Sequence, residues 1–463
     1  MPIHTQPISF QGGRRGFLKG ALAVSLFSGI QILPGYAAAK AGRVAANSKV
    51  RLAVVGLGNR GGDIGAWFAK NPLAEITCVC DVDLDGKHVA KFLSKVPNAT
   101  KFRDFRKMFD EKADQFDAVI VGTPDHSHFP ICMQAMALGK SVYVEKPMAH
   151  TFQECELMML AAEKFGVVTQ MGNQGHSEAN YSQFKAWREG GVIKNVTRVD
   201  AFMNAPRRWH GWKVDGYPEA APLPSGMDWE TWVATAPMHP FNEKLHPANW
   251  RSWYDYGSGA FGDWGPHILD TTHRFLDLGL PEEIIPEKLD GPNAYIFPQA
   301  STICFKFPAR GTEPAVDVRW YDGVGNVPQR PPELEKEFDM PTAGKVLYAG
   351  DMVFRGETHG KTLRVVPESK FKEIRSSLPD YPKKQSDHAE NFLRACRGEE
   401  ESRSPFSVAG PLTQTFTLGI LAQRYGKRIQ FDRSTKKIVG VENGDQWLNG
   451  PAPRPGWEQY YKI

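Results

Sequence analysis

One stretch near the amino terminus, residues 49–81, constrains the fold more than any other part of the sequence. It begins with a β-branched apolar run at 50–55, which has the length and composition of a strand buried on both faces. A glycine-rich turn follows at 56–61, then an amphipathic helical pattern, then a second apolar run at 76–80. This order predicts the first half of a doubly wound parallel sheet.

The glycine turn has the spacing of a dinucleotide-binding turn. Gly58 lacks the Cβ that would block a pyrophosphate, and the following helix offers N–H groups and the positive end of its dipole to the phosphates. Asp81 stands 20 residues after Gly61, where a carboxylate accepts ribose hydroxyls and repels a 2′-phosphate, so we predict NAD rather than NADP. The predicted cofactor-binding residues of this stretch are Gly56, Gly58, Asn59, Arg60, Gly61 and Asp81.

The composition describes a globular body with little electrostatic bias. The 463 residues are enough for two or three domains, with 41% hydrophobic and 23% charged residues. Arg14, Arg15 and Lys19 contribute three of the formal net charge of +4, and removing them leaves +1. A nearly neutral body gives no reason to expect a nucleic-acid partner.

The first 39 residues have the pattern of a targeting segment. A twin-arginine motif at 13–19 precedes a mildly apolar run at 20–33 and three alanines at 37–39, which resemble a cleavage site. We predict a twin-arginine signal peptide at 1–39 and a linker at 40–48. The protein is then periplasmic or otherwise exported, without stable membrane insertion after processing, and an uncleaved anchor is the alternative. The six cysteines show no metal spacing, and no metal site is predicted.

Alternating strands and helices continue through the predicted dinucleotide-binding domain, residues 49–172. The strands at 116–121 and 141–144 are each followed by a polar motif, TPDHSH at 123–128 and EKP at 145–147. Ligands of doubly wound sheets lie outside the carboxyl ends of the strands. Further cofactor contacts are therefore predicted at Thr123, Pro124, His128, Glu145 and Lys146.

The pattern changes after residue 172. Residues 173–442 alternate between apolar and polar positions in runs with turn signals, which predicts an α+β domain with a large open antiparallel sheet. The predicted strands are 196–202, 300–307, 316–321, 346–354 and 362–366, and the predicted helices are 182–188, 263–276, 388–397 and 412–425. Residues 443–463 form a Pro and Gly-rich tail that we expect on the surface.

The stretch 207–256 is rich in tryptophan, and seven of the twelve tryptophans lie between residues 209 and 264. Trp209, Trp212 or Trp253 could line a carbohydrate cleft, since sugar C–H faces pack on aromatic rings. Alternatively the tryptophans fill a core or a subunit contact, and we favour this for most of them. Two neighbouring arginines fit an acidic-sugar clamp and a solvated loop equally well: Arg207 and Arg208.

Asp263 and His267 are four residues apart on a predicted helix, which places a carboxylate and an imidazole on one face. Such a pair suits a general base oriented by an acid, although i,i+4 pairs of this kind are more often surface or capping pairs. Lys146 ends a parallel strand beside the expected nicotinamide position and could hydrogen-bond a substrate hydroxyl. These three residues form the candidate catalytic set.

At these motifs the sequence resembles the glucose–fructose oxidoreductase / inositol dehydrogenase (Gfo/Idh/MocA) family. The resemblance rests on the glycine turn, Thr123-Pro124-Asp125 with His128, Glu145-Lys146-Pro147, Asp263 and His267 with Asp270, and the helix at 388–392. It implies that Lys146 and His267 position the substrate hydroxyl and shuttle its proton, and that Asp263 orients the sugar hydroxyl and the imidazole. It also implies a second domain that binds substrate and often forms oligomer interfaces, hence a homo-oligomer.

Three functions follow as hypotheses. The first is an NAD(P)-dependent oxidoreductase that acts on a secondary hydroxyl of a sugar, cyclitol or glycoside and holds its cofactor tightly, because an exported enzyme meets little free NAD. The second is a redox-neutral NAD-dependent glycoside hydrolase. The third is a non-catalytic sugar-binding protein of the same fold, against which the presence of Lys146, Asp263 and His267 together argues.

Overall fold

The computed structural model describes residues 44–45, 47–205, 211–334 and 340–463. The first of its two sheets has six parallel strands in the order β3-β2-β1-β4-β5-β6. They are β1 (Val50–Val55), β2 (Ala74–Cys80), β3 (Thr100–Phe102), β4 (Ala118–Val121), β5 (Ser141–Val144) and β6 (Thr169–Met171). This order is that of a doubly wound dinucleotide-binding fold, so the predicted fold class is confirmed.

Helices cover both faces of this sheet. They are α1 (Asn59–Ala69), α2 (Lys87–Leu93), α3 (Phe105–Lys112), α4 (His128–Ala137) and α5 (Phe152–Phe165). The start of α5 is fixed by a capping box, in which Thr151 Oγ1 accepts the Glu154 N–H and the Glu154 carboxylate accepts the Thr151 N–H. Gly166 ends it in the left-handed conformation, with φ of +63°.

The second sheet has nine strands in the order β13-β12-β11-β7-β10-β9-β8-β14-β15. They are β7 (Val196–Met203), β8 (Glu283–Asp290), β9 (Ala300–Phe307), β10 (Val316–Asp322), β11 (Ala343–Ala349), β12 (Met352–Gly356), β13 (Arg364–Val366), β14 (Ile429–Asp432) and β15 (Lys437–Val439). Neighbouring strands are antiparallel except β7 and β10, which pair in parallel. The predicted antiparallel sheet is therefore a mixed, mostly antiparallel one.

Two sequence predictions fail in this second unit for physical reasons. The single strand predicted at 346–354 is the hairpin of β11 and β12, because Gly350 adopts φ of +64° and turns the chain between two short apolar runs. The single helix predicted at 263–276 is two helices, α8 (Gly259–Ile268) and α9 (Asp270–Phe275). Because α8 begins four residues before Asp263, Pro266 lies inside the helix and not in its first turn.

The remaining helices all follow β6 in the chain. They are α6 (Ala179–Glu189), α7 (Trp229–Val233), α10 (Glu368–Ile374), α11 (His388–Cys396), α12 (Phe406–Tyr425) and α13 (Gly444–Asn449). From α11, Phe392 packs edge-on against Phe68 and Tyr143 of the first unit. Helix α12 lies against α5 and α8, and the Phe416 ring of α12 packs against Gly265 of α8. The carboxyl-terminal helices α11 and α12 thus connect the two units.

The tryptophan-rich stretch, where the structure describes it, is built around its own core. Trp229 and Trp232 stack with ring centroids 4.3 Å apart, and Trp250 and Trp253 are buried with them. The carboxyl-terminal tail also contributes buried rings, since Trp457 is only 1% exposed. In the described part of the chain, no helix is both long and apolar enough to cross a membrane.

Candidate active site

The carboxyl ends of β1, β2 and β4 open into a cleft. The structure places most of the predicted cofactor residues around it, namely Gly56, Gly58, Asn59, Arg60, Gly61, Asp81, Thr123 and Pro124. Ligands of doubly wound sheets bind at this position, outside the carboxyl ends of the strands.

The glycine turn brings three backbone segments close together. Gly56 adopts φ of +84°, and a Cβ there would lie 2.7 Å from the Gly122 backbone after β4. A Cβ on Gly61 would lie 2.2 Å from the Gly56 carbonyl oxygen. The first turn of α1 can therefore sit directly on the strand ends, with its leading N–H groups at the cleft.

Asp81 lies at one end of the cleft and is held rigidly. Its Oδ2 accepts the Leu57 N–H at 2.7 Å, and its Oδ1 accepts the Asp83 N–H at 2.9 Å. Burial raises the pKa of this carboxyl from its ordinary value, while the two N–H donors act in the opposite direction. The carboxylate is thus oriented before any ligand arrives.

Lys146 and Asp263 connect the two units next to Arg251, which lines the cleft. Lys146 follows β5 and Asp263 lies on α8, and the Lys146 Nζ to Asp263 Oδ1 distance is 2.8 Å. The two side chains are only 9% and 7% exposed. Arg251 Nε lies 3.9 Å from the same oxygen, and Arg251 also lines the cleft. The ion pair therefore borders the cleft.

His267 lies one helical turn beyond Asp263, as the spacing predicts. Among the described residues its Nδ1 has no hydrogen-bond partner and is buried. Burial, then the Lys146 charge and His359, hold the pKa of His267 well below its ordinary value, against the opposing effect of Asp263. The ring is therefore neutral at neutral pH and able to accept a proton.

His359 is a neighbour of this site that the sequence does not reveal. Its ring stacks on His267 with centroids 4.2 Å apart and planes 17° apart. Its backbone N–H donates to the His267 carbonyl oxygen at 2.8 Å, and its own φ is +54°. The loop after β12 thus fixes the imidazole plane, a long-range contact without a local sequence signal.

Two of the predicted cofactor residues have other surroundings. His128 is buried, and its ring nitrogens lie 2.8 Å from the Pro147 carbonyl oxygen and 2.9 Å from that of Thr123. Its ring therefore links the loop that contains Thr123 to the loop that contains Pro147, and it does not face solvent. Glu145 is buried, and its Oε1 lies 3.4 Å from Arg60 Nη2.

Residues of the tryptophan-rich stretch line the cleft, and sequence reasoning missed them. Trp232, His246 and Trp250 face the glycine turn. Trp253, which was considered as a sugar platform, is fully buried, and Trp212 packs on it at 5.8 Å. The other candidates of that stretch lie outside the described residues: Arg207, Arg208 and Trp209.

Buried polar atoms near the cleft support its assignment to a ligand. In the described part of the chain, Thr123 Oγ1 and Glu145 Oε2 are buried without hydrogen-bond partners. Such atoms are rare in folded proteins unless a ligand or water satisfies them. Together with the glycine turn and Asp81, they fit a bound nicotinamide dinucleotide.

Family models agree with this arrangement. The model described as the oxidoreductase family with the NAD-binding Rossmann fold matches residues 50–173, and the model of the family's C-terminal alpha/beta domain matches residues 193–288. The chain belongs to the Gfo/Idh/MocA family. This Gfo/Idh/MocA chain is 33% identical to an uncharacterized oxidoreductase of Streptococcus pneumoniae over 127 residues, 27% of this chain and 32% of that protein.

Other relatives of this Gfo/Idh/MocA chain carry carbohydrate names. An alpha-N-acetylgalactosaminidase of Shewanella oneidensis is 29% identical over 160 residues, 33% of this chain and 32% of that protein. The chain thus spans about a third of the length of these two curated relatives. The WlbA dehydrogenase of Chromobacterium violaceum, solved with NADH and UDP-GlcNAcA, has a TM-score of 0.57 at 17% identity and covers 84% of this chain and 98% of that chain. This last likeness shows a shared fold.

Proposed function

We propose that this chain oxidises a secondary hydroxyl of a sugar, cyclitol or glycoside with NAD as the hydride acceptor. The observation that carries the proposal is the buried cluster of Lys146, Asp263 and His267, which adjoins the dinucleotide cleft through Arg251. A neutral imidazole and an ammonium in one buried site are what removal of an alcohol proton requires. Carbohydrate ligands and NADH in a protein of the same fold support the substrate and cofactor classes.

Each residue of this site has a role in the proposed reaction that follows from its chemistry. The Lys146 ammonium donates a hydrogen bond to the reacting hydroxyl oxygen and stabilises the charge that develops there. His267 takes the hydroxyl proton, and its depressed pKa keeps it in the accepting form. Asp263 holds Lys146 in place at 2.8 Å. A bound nicotinamide supplies the hydride acceptor.

We further propose NAD over NADP and a cofactor that is retained through many turnovers, with a second, carbonyl-bearing substrate taking the hydride back from the reduced nicotinamide. Asp81 places a fixed negative charge where a 2′-phosphate would lie. Trp232 and Trp250 line the cleft together with the glycine turn, and such aromatic rings would slow exchange of a bound dinucleotide. Retention would also suit the proposed export through the twin-arginine route, outside the pool of free NAD.

The test is an incubation of purified full-length protein, without added NAD, with a panel of free sugars, cyclitols and glycosides. Formation of a keto sugar or lactone supports the proposal. Lys146→Met and His267→Asn should abolish turnover and leave bound NAD unchanged, and Lys164→Met on the exposed face of α5 serves as the control. Full turnover in both site variants would refute the assignment.

Redox-neutral glycoside hydrolysis is the second candidate, and the relative named alpha-N-acetylgalactosaminidase favours it. In this reaction the substrate hydroxyl is oxidised, the glycosidic group is eliminated, water adds, and the ketone is reduced again. His267 and Lys146 would then act on the substrate hydroxyl in both directions. Release of the aglycone in the same panel, without net oxidation, would identify this reaction.

A further inference from the structure

Two histidines and an aspartate meet where the tryptophan-rich stretch contacts the loop after β2. Asp83 Oδ2 lies 3.8 Å from His88 Nδ1 and 3.8 Å from His246 Nε2. One ligand atom from each residue lies within 4.8 Å of the other two. Asp83 and His88 belong to the first unit, whereas His246 comes from the stretch that covers the cleft.

The buried ring of His246 has the surroundings of a side chain that binds a ligand. The residue is 8% exposed, and in the described part of the chain neither of its ring nitrogens has a hydrogen-bond partner. Its ring is held by an edge-to-face contact with Trp232 at 5.7 Å. A buried imidazole without hydrogen bonds is costly in a folded protein unless it binds something.

Gly86 leaves space for the side chains of Asp83 and His88. A Cβ on Gly86 would lie 2.4 Å from Asp83 Oδ2 and 2.4 Å from His88 Cε1. Asp83 is oriented by its own N–H, which donates to Asp81 Oδ1 at 2.9 Å. Its carboxylate and the His88 imidazole thus face each other across a position that only glycine can occupy without displacement.

We propose that Asp83, His88 and His246 bind a divalent transition-metal ion of the zinc class. Two imidazoles and one carboxylate suit zinc, whereas magnesium and calcium prefer oxygen ligands alone. Tetrahedral zinc with bonds of about 2.0–2.1 Å separates its ligand atoms by about 3.4 Å. The two separations from Asp83, each 3.8 Å, need to close by a few tenths of an ångström, and the separation between the two histidine ligand atoms is within 4.8 Å. Water would complete the coordination.

The metal would link the tryptophan-rich stretch to the segment after β2 at the dinucleotide cleft. Two polar contacts already connect these segments, from the Asp228 N–H to the Val82 carbonyl oxygen at 3.0 Å and from Arg103 Nη1 to the Gly226 carbonyl oxygen at 2.7 Å. A metal bridge between His246 and the loop after β2 adds a tie beside Asp81. His88 and His246 both line the dinucleotide cleft, but the site shares no residue with Lys146, Asp263 and His267, so we assign it a structural role.

The experiment uses full-length protein without a polyhistidine tag, stripped of metal with EDTA. Zinc binding is measured by calorimetry and by metal analysis after gel filtration, and cobalt serves as the spectroscopic probe. We expect one zinc per chain and the visible absorption of tetrahedral cobalt. Asp83→Asn and His246→Asn should each weaken zinc binding more than about 100-fold, since loss of even an outer-shell partner costs 10- to 100-fold.

His239→Asn is the matched control, because His239 lies in the same stretch but pairs with Asp255 at 2.9 Å. It should bind zinc as the wild type does. Zinc should also slow tryptic cleavage at the exposed Lys213 and Lys244. Absence of zinc from wild-type protein, or equal affinity in His246→Asn, would overturn the proposal. Weaker NAD binding in the variants without zinc binding by the wild type would instead assign the histidines to the cofactor.

Discussion

The ion pair of Lys146 and Asp263 gives the sharpest test of how the two units are held at the site. Two unit charges 2.8 Å apart attract by roughly 6 kcal/mol at an effective dielectric constant of about 20. Lys146→Met leaves the Asp263 carboxylate buried without its ammonium partner, and the loss of one member of a buried pair costs about 3–5 kcal/mol. Arg251, 3.9 Å from the same carboxylate, offsets part of this cost, so we expect about 3 kcal/mol.

The double variant Lys146→Met/Asp263→Asn removes both charges and should be more stable than Lys146→Met alone. We expect it to lose less than about 2 kcal/mol, because no uncompensated charge is left buried. The assay is urea unfolding of cofactor-free protein, followed by circular dichroism in a double-mutant cycle with both single variants. All three variants should be inactive. Stability losses that simply add, with no coupling between the two positions, would refute this reasoning.

Three further predictions follow from other residues. Because burial and the Lys146 charge hold the pKa of His267 well below 6.5, kcat/KM should keep its plateau below pH 6.5 and fall only in more acidic solution. Burial lowers the pKa of His388 to about 3, so the folded state disfavours its charged form. Stability should therefore fall as pH drops below 6.5, with about 2 kcal/mol lost through His388 by pH 5, and His388→Gln should remove this part of the pH dependence of urea unfolding. Gly61→Ala should abolish NAD binding in calorimetry, because its Cβ would lie 2.2 Å from the Gly56 carbonyl oxygen.

For each of these predictions, one specific result would contradict it. An acidic limb of kcat/KM centred near pH 6.5 would show that His267 is not the base with the depressed pKa. An unchanged pH dependence of stability in His388→Gln would show that this ring is not buried in its neutral form. Gly216→Ala is the control for the glycine turn, since a Cβ at that position meets no atom within 4 Å. Equal NAD binding by Gly61→Ala and Gly216→Ala would exclude close packing at the turn.

The first sheet could be predicted from sequence because its determinants are local. The strands β1 and β5 are short, mainly apolar segments whose bounds the sequence predicts directly, since parallel strands are buried on both faces. The glycines that follow β1 have a spacing with a steric cause, which the structure shows at Gly61. Asp263 and His267 lie on one helix, so their proximity also follows from local spacing.

Other parts of the site depend on contacts between distant segments and have no local signal. His359 reaches His267 from the loop after β12, and Trp232 and Trp250 reach the cleft from a stretch without regular periodicity. The hairpin at Gly350 was missed because its turn is short and lies between two apolar runs. In each case tertiary packing, and not a repeat in the sequence, decides the position.

The most direct test of the account is a crystal structure of the full chain with NAD and a sugar substrate. We predict the adenosine ribose at Asp81, the pyrophosphate at the glycine turn, and the nicotinamide ring at the end of the cleft where Lys146 and His267 contact the sugar hydroxyl. The reacting atoms should then lie about 3–3.5 Å apart. A nicotinamide ring bound away from both residues, or a cleft that takes up no dinucleotide, would contradict the account.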